Sequence, residues 1–271
     1  MQTVISREYK LMLRAARFAG DEAALNEAAA AFWRELAGIV LPSAVAVSGT
    51  EDIARKRRKV RFFDTADRWL RHTDYVVRER IDLENGERAV TLKFRHPDRF
   101  ISQDRDMTPA EAFSADMKFE EDIKPRFQSL YSFSSTIVVD EDETLETVNA
   151  VCKLFPGLAA ASDAIPKDEP LIAVGDFTGY ERVVKGTTFQ IRKDPQVFAE
   201  CSLTLWYEQE QGEEPILAEF SFKYEDPKED YTATMARRAY DAFMAMQDEL
   251  GDWLDAESMT KTAYVYGLAQ G

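Results

Sequence analysis

Residues 74–95 read DYVVRERIDLENGERAVTLKFR, two alternating runs on either side of Asn85-Gly86. Side chains on a strand alternate between faces, so each run sorts by parity. In the first, Val77, Glu79 and Ile81 share a face and Val76, Arg78 and Arg80 share the other. In the second, Val90, Leu92 and Phe94 oppose Thr91, Lys93 and Arg95. Asn-Gly between alternating runs is the strongest short hairpin signal and predicts a two-residue type I′ turn. That turn sets Val77 opposite Phe94 and Ile81 opposite Val90, a sound apolar face. It also sets Arg78 opposite Lys93, with Arg80 and Arg95 on the diagonals. Like charges directly across a ladder are destabilising. Four cations on one hairpin face therefore call for something anionic above them, either carboxylates from other strands or a bound phosphate.

The same parity recurs along the chain. Tyr9, Leu11 and Leu13 oppose Ser6, Glu8 and Lys10; Phe119 and Ile123 oppose Lys118, Glu120 and Asp122. Phe189 and Ile191 oppose Gln190 and Arg192; Ala218, Phe220 and Phe222 oppose Glu219, Ser221 and Lys223. An antiparallel sheet with a solvated outer face gives this pattern. So does a sheet curled with its charged faces inward, and only the second brings acids onto the cations of the hairpin. The expected fold is α+β, an antiparallel barrel with a charged interior and helices on its apolar outside.

Helix signals fit an outer layer. Asp21 precedes an apolar stripe of Leu25, Ala29, Phe32, Trp33 and Leu36 that ends near Gly38. Thr108-Pro109-Ala110-Glu111 reads as a capping box. A run opened by Asp140 and Glu143 carries Leu145, Val148, Val151, Cys152 and Phe155 up to Gly157, and a last helix is expected over 232–254. The basic run Lys56-Arg57-Arg58-Lys59 reads as a solvated loop or the start of a strand. Strands and helices do not alternate, which argues against a doubly wound parallel sheet.

Composition narrows the function. Of 271 residues, 45% are hydrophobic and 31% charged, the balance of a globular chain with a real core. Acids outnumber bases 49 to 34, a formal net charge of −15. That argues against general nucleic-acid binding and against an anionic membrane surface. It leaves room for a locally basic pocket. Two cysteines, Cys152 and Cys201, make no disulfide framework and read as reduced core residues. The charged N-terminus and the lack of a long apolar run predict a cytoplasmic protein. There is no phosphate-loop motif and no G-x-S-x-G elbow, and the two histidines, His72 and His96, make no metal cluster. Chemistry here must run on carboxylates, Lys, Arg and a hard metal ion.

Several short motifs, taken in order, resemble the CYTH domain of the triphosphate tunnel metalloenzymes. Ser6-Arg7-Glu8-Tyr9-Lys10 resembles that family's E-x-E-x-K. Phe62-Phe63-Asp64-Thr65 with Leu70 resembles Y-F-D-T…L, Val77-Arg78-Glu79-Arg80 resembles L-R-x-R, and Thr91-Leu92-Lys93 resembles T-x-K. Glu219-Phe220-Ser221 resembles the late E-x-E, and Thr260-Lys261 the S-K. The resemblance implies a single domain over residues 1–271 built as an eight-stranded antiparallel tunnel. It also implies a divalent-metal-dependent hydrolase of a linear triphosphate or polyphosphate, such as tripolyphosphate, a nucleoside triphosphate or thiamine triphosphate. Glu8 and Glu219 would be catalytic and would hold Mg2+ or Mn2+, with Glu120, Asp122 and Glu208 as further acids. Lys10, Arg78, Arg80, Lys93, Arg95, Arg192, Lys223 and Lys261 would bind phosphate. Phosphoryl transfer needs charge neutralisation and positioning more than covalent chemistry. Two positions depart from the pattern: Ser6 and Ser221 stand where the family has glutamates. An uncharged Ser is a poor ligand for a hard dication. The alternative is therefore a non-catalytic polyphosphate- or nucleotide-binding module with a degenerate metal site. Insertions are read at 21–57 and 124–165.

Overall fold

A computed structural model of the chain describes residues 2–49, 55–161 and 165–268. The two insertions run in part through 50–54 and 162–164, which lie outside the described residues. Eleven strands form one sheet. They are β1 (Ser6–Leu13), β2 (Ala46–Ser48), β3 (Arg55–Asp64), β4 (Tyr75–Asp82), β5 (Arg88–His96), β6 (Ala115–Lys124), β7 (Gln128–Val138), β8 (Ile172–Ala173), β9 (Gly179–Arg192), β10 (Val197–Tyr207) and β11 (Leu217–Glu225). Nine run in the order β9-β10-β11-β1-β6-β7-β5-β4-β3, and β3 pairs back onto β9, so the sheet closes into a ring. The ring has nine strands where eight were expected. All its pairings are antiparallel except β1–β6, which is parallel. Closure removes the exposed edges that an open sheet would carry. The short β2 and β8 pair onto β9 and β3.

Parity then sorts the side chains. The outward face is apolar and packs under helices. Tyr9, Leu203, Phe220 and Phe222 form one core with α1 (Glu22–Val40) and α6 (Ala233–Glu249). Val77, Leu92, Phe119 and Phe133 form a second with α4 (Val148–Leu154) and α5 (Pro156–Ala160). The remaining helices are α2 (Trp69–His72), α3 (Arg99–Gln103) and α7 (Lys261–Leu268). The Asp21 carboxylate accepts from Ala24 N–H at 2.9 Å, so α1 starts where the sequence predicts; it continues past Gly38 to Val40. Cys152 and Cys201 are buried and unpaired. Among the described residues, no helix is long and apolar enough to cross a membrane.

Four local expectations are corrected. The β4–β5 hairpin closes through four residues, 83–86, not two. Gly86 N–H donates to Asp82 O, and Asp82 N–H to Glu87 O; the Asp82 and Asn85 side chains accept from Glu84 and Glu87 N–H. Side-chain acceptors two residues upstream stabilise the longer loop. Arg78 therefore faces Thr91, and Lys93 faces Val76. The slip is two residues, an even number, so every side chain keeps its face. Residues 108–111 form no helix, because Thr108 N–H bonds the Asp106 carboxylate and Ala110 N–H bonds Leu154 O. The run from 140 yields a helix only from Val148, where Thr147 caps it, and Phe155 leaves helical geometry (φ −132°, ψ 82°) ahead of Pro156. The residue before a proline is pushed out of the α region. The last helix stops at Glu249 rather than 254, with Gly251 at φ +42° opening a separate turn.

Gly186 sits in β9 beside an irregularity in the β9–β10 register. A Cβ there would lie 2.4 Å from Cε2 of the buried Trp33 ring. Gly186→Ala is therefore expected to push α1 off the strand that closes the ring, at a cost of about 1–3 kcal/mol. Thermal unfolding would read this as a melting temperature lower by several degrees. An unchanged value would mean that the Trp33 ring simply turns aside.

Candidate functional site

The charged faces of the ring enclose a cavity of about 500 Å³. Among the described residues, eleven Lys and Arg side chains and seven Asp and Glu side chains line it, an excess of four cations in a chain whose net charge is −15. Two acids organise most of these cations. Asp122 on β6 lies 2.8 Å from Lys10 Nζ, 3.0 Å from Arg95 and 3.6 Å from Lys93. Glu181 on β9 lies 3.0 Å from Arg58, 3.2 Å from Arg80 and 3.9 Å from Lys261. Arg58 and Glu181 are directly opposite across β3–β9, so this ion pair sits on the seam that closes the ring. Trp206 Nε1–H also donates to Glu181.

Lys261 reaches the lumen because α7 is pinned. Tyr266 O–H donates to the buried Asp64 carboxylate at 2.7 Å, and that carboxylate also accepts from the N–H groups of Thr65, Leu70 and Arg71. Phe62, Val76, Trp206, Val265 and Tyr266 pack together and make this end of the lumen apolar. The first residue of α7 then sets Lys261 Nζ 2.8 Å from Glu219.

Of the residues nominated from sequence, the structure brings together Glu8, Lys10, Arg78, Arg80, Lys93, Arg95, Glu120, Asp122, Glu219, Lys223 and Lys261. It does not bring in Arg192 or Glu208. Arg192 ends β9 and pairs with Asp230 at 3.3 Å. Glu208 is exposed just beyond the end of β10. Sequence reasoning did not nominate Arg58, whose basic run was read as a solvated loop or the start of a strand and lies at the start of β3, nor Glu181, which shares the inward face of β9 with Val183 and Lys185.

The electrostatics follow from these pairings. Burial alone would raise Asp122, but Lys10, Lys93 and Arg95 hold it well below the usual carboxylate range. Burial opposes ionisation of Glu181 in the same way, and Arg80, Lys261 and Arg58 outweigh it. Burial would lower Lys10, yet Asp122, Glu8 and Glu219 keep it above the ordinary lysine value. Burial, with Arg95 and Lys10 nearby, pulls Lys93 down to about 8 despite Asp122. Burial and the neighbouring Arg80 lower Arg78 as well. Among the described residues Arg78 has no carboxylate within ion-pair distance; its polar partner is Thr91 Oγ1, at 3.5 Å. These are cations whose charge the nearby acids offset only in part.

The carboxylates do not suit a dication equally well. Mg2+ or Mn2+ would need several oxygens converging on one point. Glu8 lies 2.9 Å from Lys10, Glu219 is paired with Lys261, and Glu120 accepts from Ser6 Oγ at 2.7 Å. Among the described residues, no three Asp, Glu, His or Cys groups come together.

Lys93 gives the lumen a pH signature. A bound polyanion raises its pKa from about 8. Binding at a pH near or above that value should therefore take up part of a proton, and binding well below it should take up none through this group. Calorimetric titration with tripolyphosphate in two buffers of different ionisation enthalpy measures the uptake, and Lys93→Met should abolish it. Equal uptake in the variant would assign the proton elsewhere.

No family model matches the sequence, and no curated protein matches it. Among solved structures, the chain is similar to HpAC1 of Hippeastrum, a candidate adenylyl cyclase described as having a dominant triphosphatase activity. The TM-score is 0.46 at 12% identity, over 97% of this chain and 96% of that one. It is also similar to a candidate adenylate cyclase from Bacillus halodurans, with TM-score 0.39 at 11% identity over 97% of both chains. A further candidate adenylate cyclase, from Vibrio parahaemolyticus, gives TM-score 0.39 at 10% identity over 98% of this chain and 99% of that one. In this chain Lys10, Arg78, Arg80, Lys93, Glu219 and Lys261 face the charged lumen of the closed sheet, in the order of the motifs that resemble the CYTH pattern.

Proposed function

We propose that the protein binds a linear triphosphate or a short inorganic polyphosphate in the lumen, the whole chain, 1–271, acting as one such domain. The observation that carries this reading is the excess of cations in an enclosed space within an acidic protein, with Arg78 lacking, among the described residues, an acid within ion-pair distance. Buried charges are tolerated when paired. A lumen built only for stability would balance its charges, and this one does not. A chain of phosphates brings repeated anionic oxygens along a line, which suits cations projected from successive strands of a ring.

Hydrolysis is the further step that the CYTH resemblance implies. Glu8 and Glu219 do face the lumen, but each is held by a lysine, and among the described residues the acids do not assemble a dication shell. Binding is therefore the function the geometry supports best. Phosphate release from tripolyphosphate, nucleoside triphosphates or thiamine triphosphate with Mg2+ or Mn2+ would make the protein a triphosphatase.

Tripolyphosphate at a hundred times its Kd should stabilise the protein by about 2.7 kcal/mol, read as a rise in melting temperature. Arg78→Ala should cut the affinity by roughly ten- to a hundredfold, the value of about 1.5–3 kcal/mol for a charge-assisted contact. In the ligand-free protein the same substitution should be neutral or mildly stabilising, since it removes a cation that no acid balances. If it strongly destabilises the ligand-free protein, Arg78 is structural and the binding reading fails.

A further inference from the structure

We propose that Lys10 occupies the place of a divalent cation, so that the lumen takes its polyanion without metal. The inference rests on the polyanion-binding reading of the lumen and adds how that site is charged. Glu8 and Asp122 are directly opposite across the parallel β1–β6 ladder. Two carboxylates so placed repel, and a dication between them would be the usual remedy. Here the remedy is an ammonium. Lys10 Nζ lies 2.9 Å from Glu8 and 2.8 Å from Asp122. It comes from the same strand as Glu8, two residues on and on the same face, so the backbone delivers it to that point.

The positions that would complete a metal shell are neutral. Ser6 Oγ donates to Glu120 at 2.7 Å, and the Ser221 hydroxyl supports Glu8. Glu219 is turned to Lys261. A dication entering here would have to displace Lys10 and add charge to a lumen that already has an excess of four cations. Nor is it needed to attach the ligand, because the unbalanced cations meet the phosphates directly. In solution, Mg2+ complexes a polyphosphate and lowers its charge. Mg2+ should therefore compete with the protein for the ligand.

The experiment is calorimetric titration of the wild-type protein with tripolyphosphate, once in EDTA and once in excess Mg2+. Affinity in EDTA should equal that in Mg2+ or exceed it, by up to about tenfold. Binding that is absent in EDTA, or tenfold or more tighter with Mg2+, overturns the inference while leaving polyanion binding intact. No binding in either condition overturns the binding reading and this inference with it. A second measurement needs no polyanion. Mn2+ alone should leave the melting temperature of the wild type unchanged, and a clear rise would show a preformed metal site. In Lys10→Met, the exposed Glu8–Asp122 pair should make the protein responsive to Mn2+, with a rise in melting temperature that the wild type lacks. A folded variant indifferent to Mn2+ would mean that these two acids cannot share a cation. If the variant does not fold, the wild-type titrations decide.

Discussion

A closed sheet whose charged face points inward can exist only if its buried charges find one another. Ionised groups removed from bulk water are costly unless they are paired and hydrogen-bonded. Asp122 and Glu181 meet that constraint on opposite parts of the ring. The first gathers Lys10 from β1 and Lys93 and Arg95 from β5; the second gathers Arg58 from β3, Arg80 from β4 and Lys261 from α7. Beyond one cation on a ladder neighbour, each carboxylate thereby ties its own strand to elements that the backbone ladder does not place beside it. The contacts that make closure tolerable also fix the directions of six cations. Removing either acid would deprive three half-buried cations of their shared counter-charge, a larger loss than removing any one of its partners.

The inner and outer faces were legible in the sequence because parity survives errors of register. The Asn85-Gly86 loop is longer than the dipeptide suggests, yet the slip is even, so Arg78, Arg80, Lys93 and Arg95 still face inward. The direct Arg78–Lys93 opposition was an artefact of the assumed turn; the crowding of cations it pointed to is real. What parity cannot give is depth along the strand. Arg192 is the last residue of β9, beyond the stretch that β3 pairs, and Glu208 lies past the end of β10. Neither is at a level where the ring encloses it.

Glu181 was hidden for a different reason. The segment around it is charged on both faces: Arg182 lies over the Tyr207 ring on the outside, while Glu181 and Lys185 line the lumen. Alternation that is not apolar against polar carries little signal. Arg58 was obscured in the same way, by the basic run Lys56-Arg57-Arg58-Lys59, of which Arg58 alone lines the cavity. Both belong to the seam between β3 and β9, a pairing between segments more than a hundred residues apart that no local pattern announces.

The separation of charge between lumen and exterior bears on which anions the protein can hold. The lumen is positive and the chain as a whole is strongly negative, so the rest of the molecule is more acidic than the net charge alone suggests. Exposed charges act over about 8–10 Å at ordinary ionic strength. An extended polyanion such as a nucleic acid would lie mostly against the acidic exterior and be repelled. A short chain of phosphates can place all its charge inside, where the ring shields it from the acids outside and the cations act at contact distance. On the polyanion-binding reading, a preference for a short linear polyanion would follow from where the charges sit, before any specific recognition of what is attached to it.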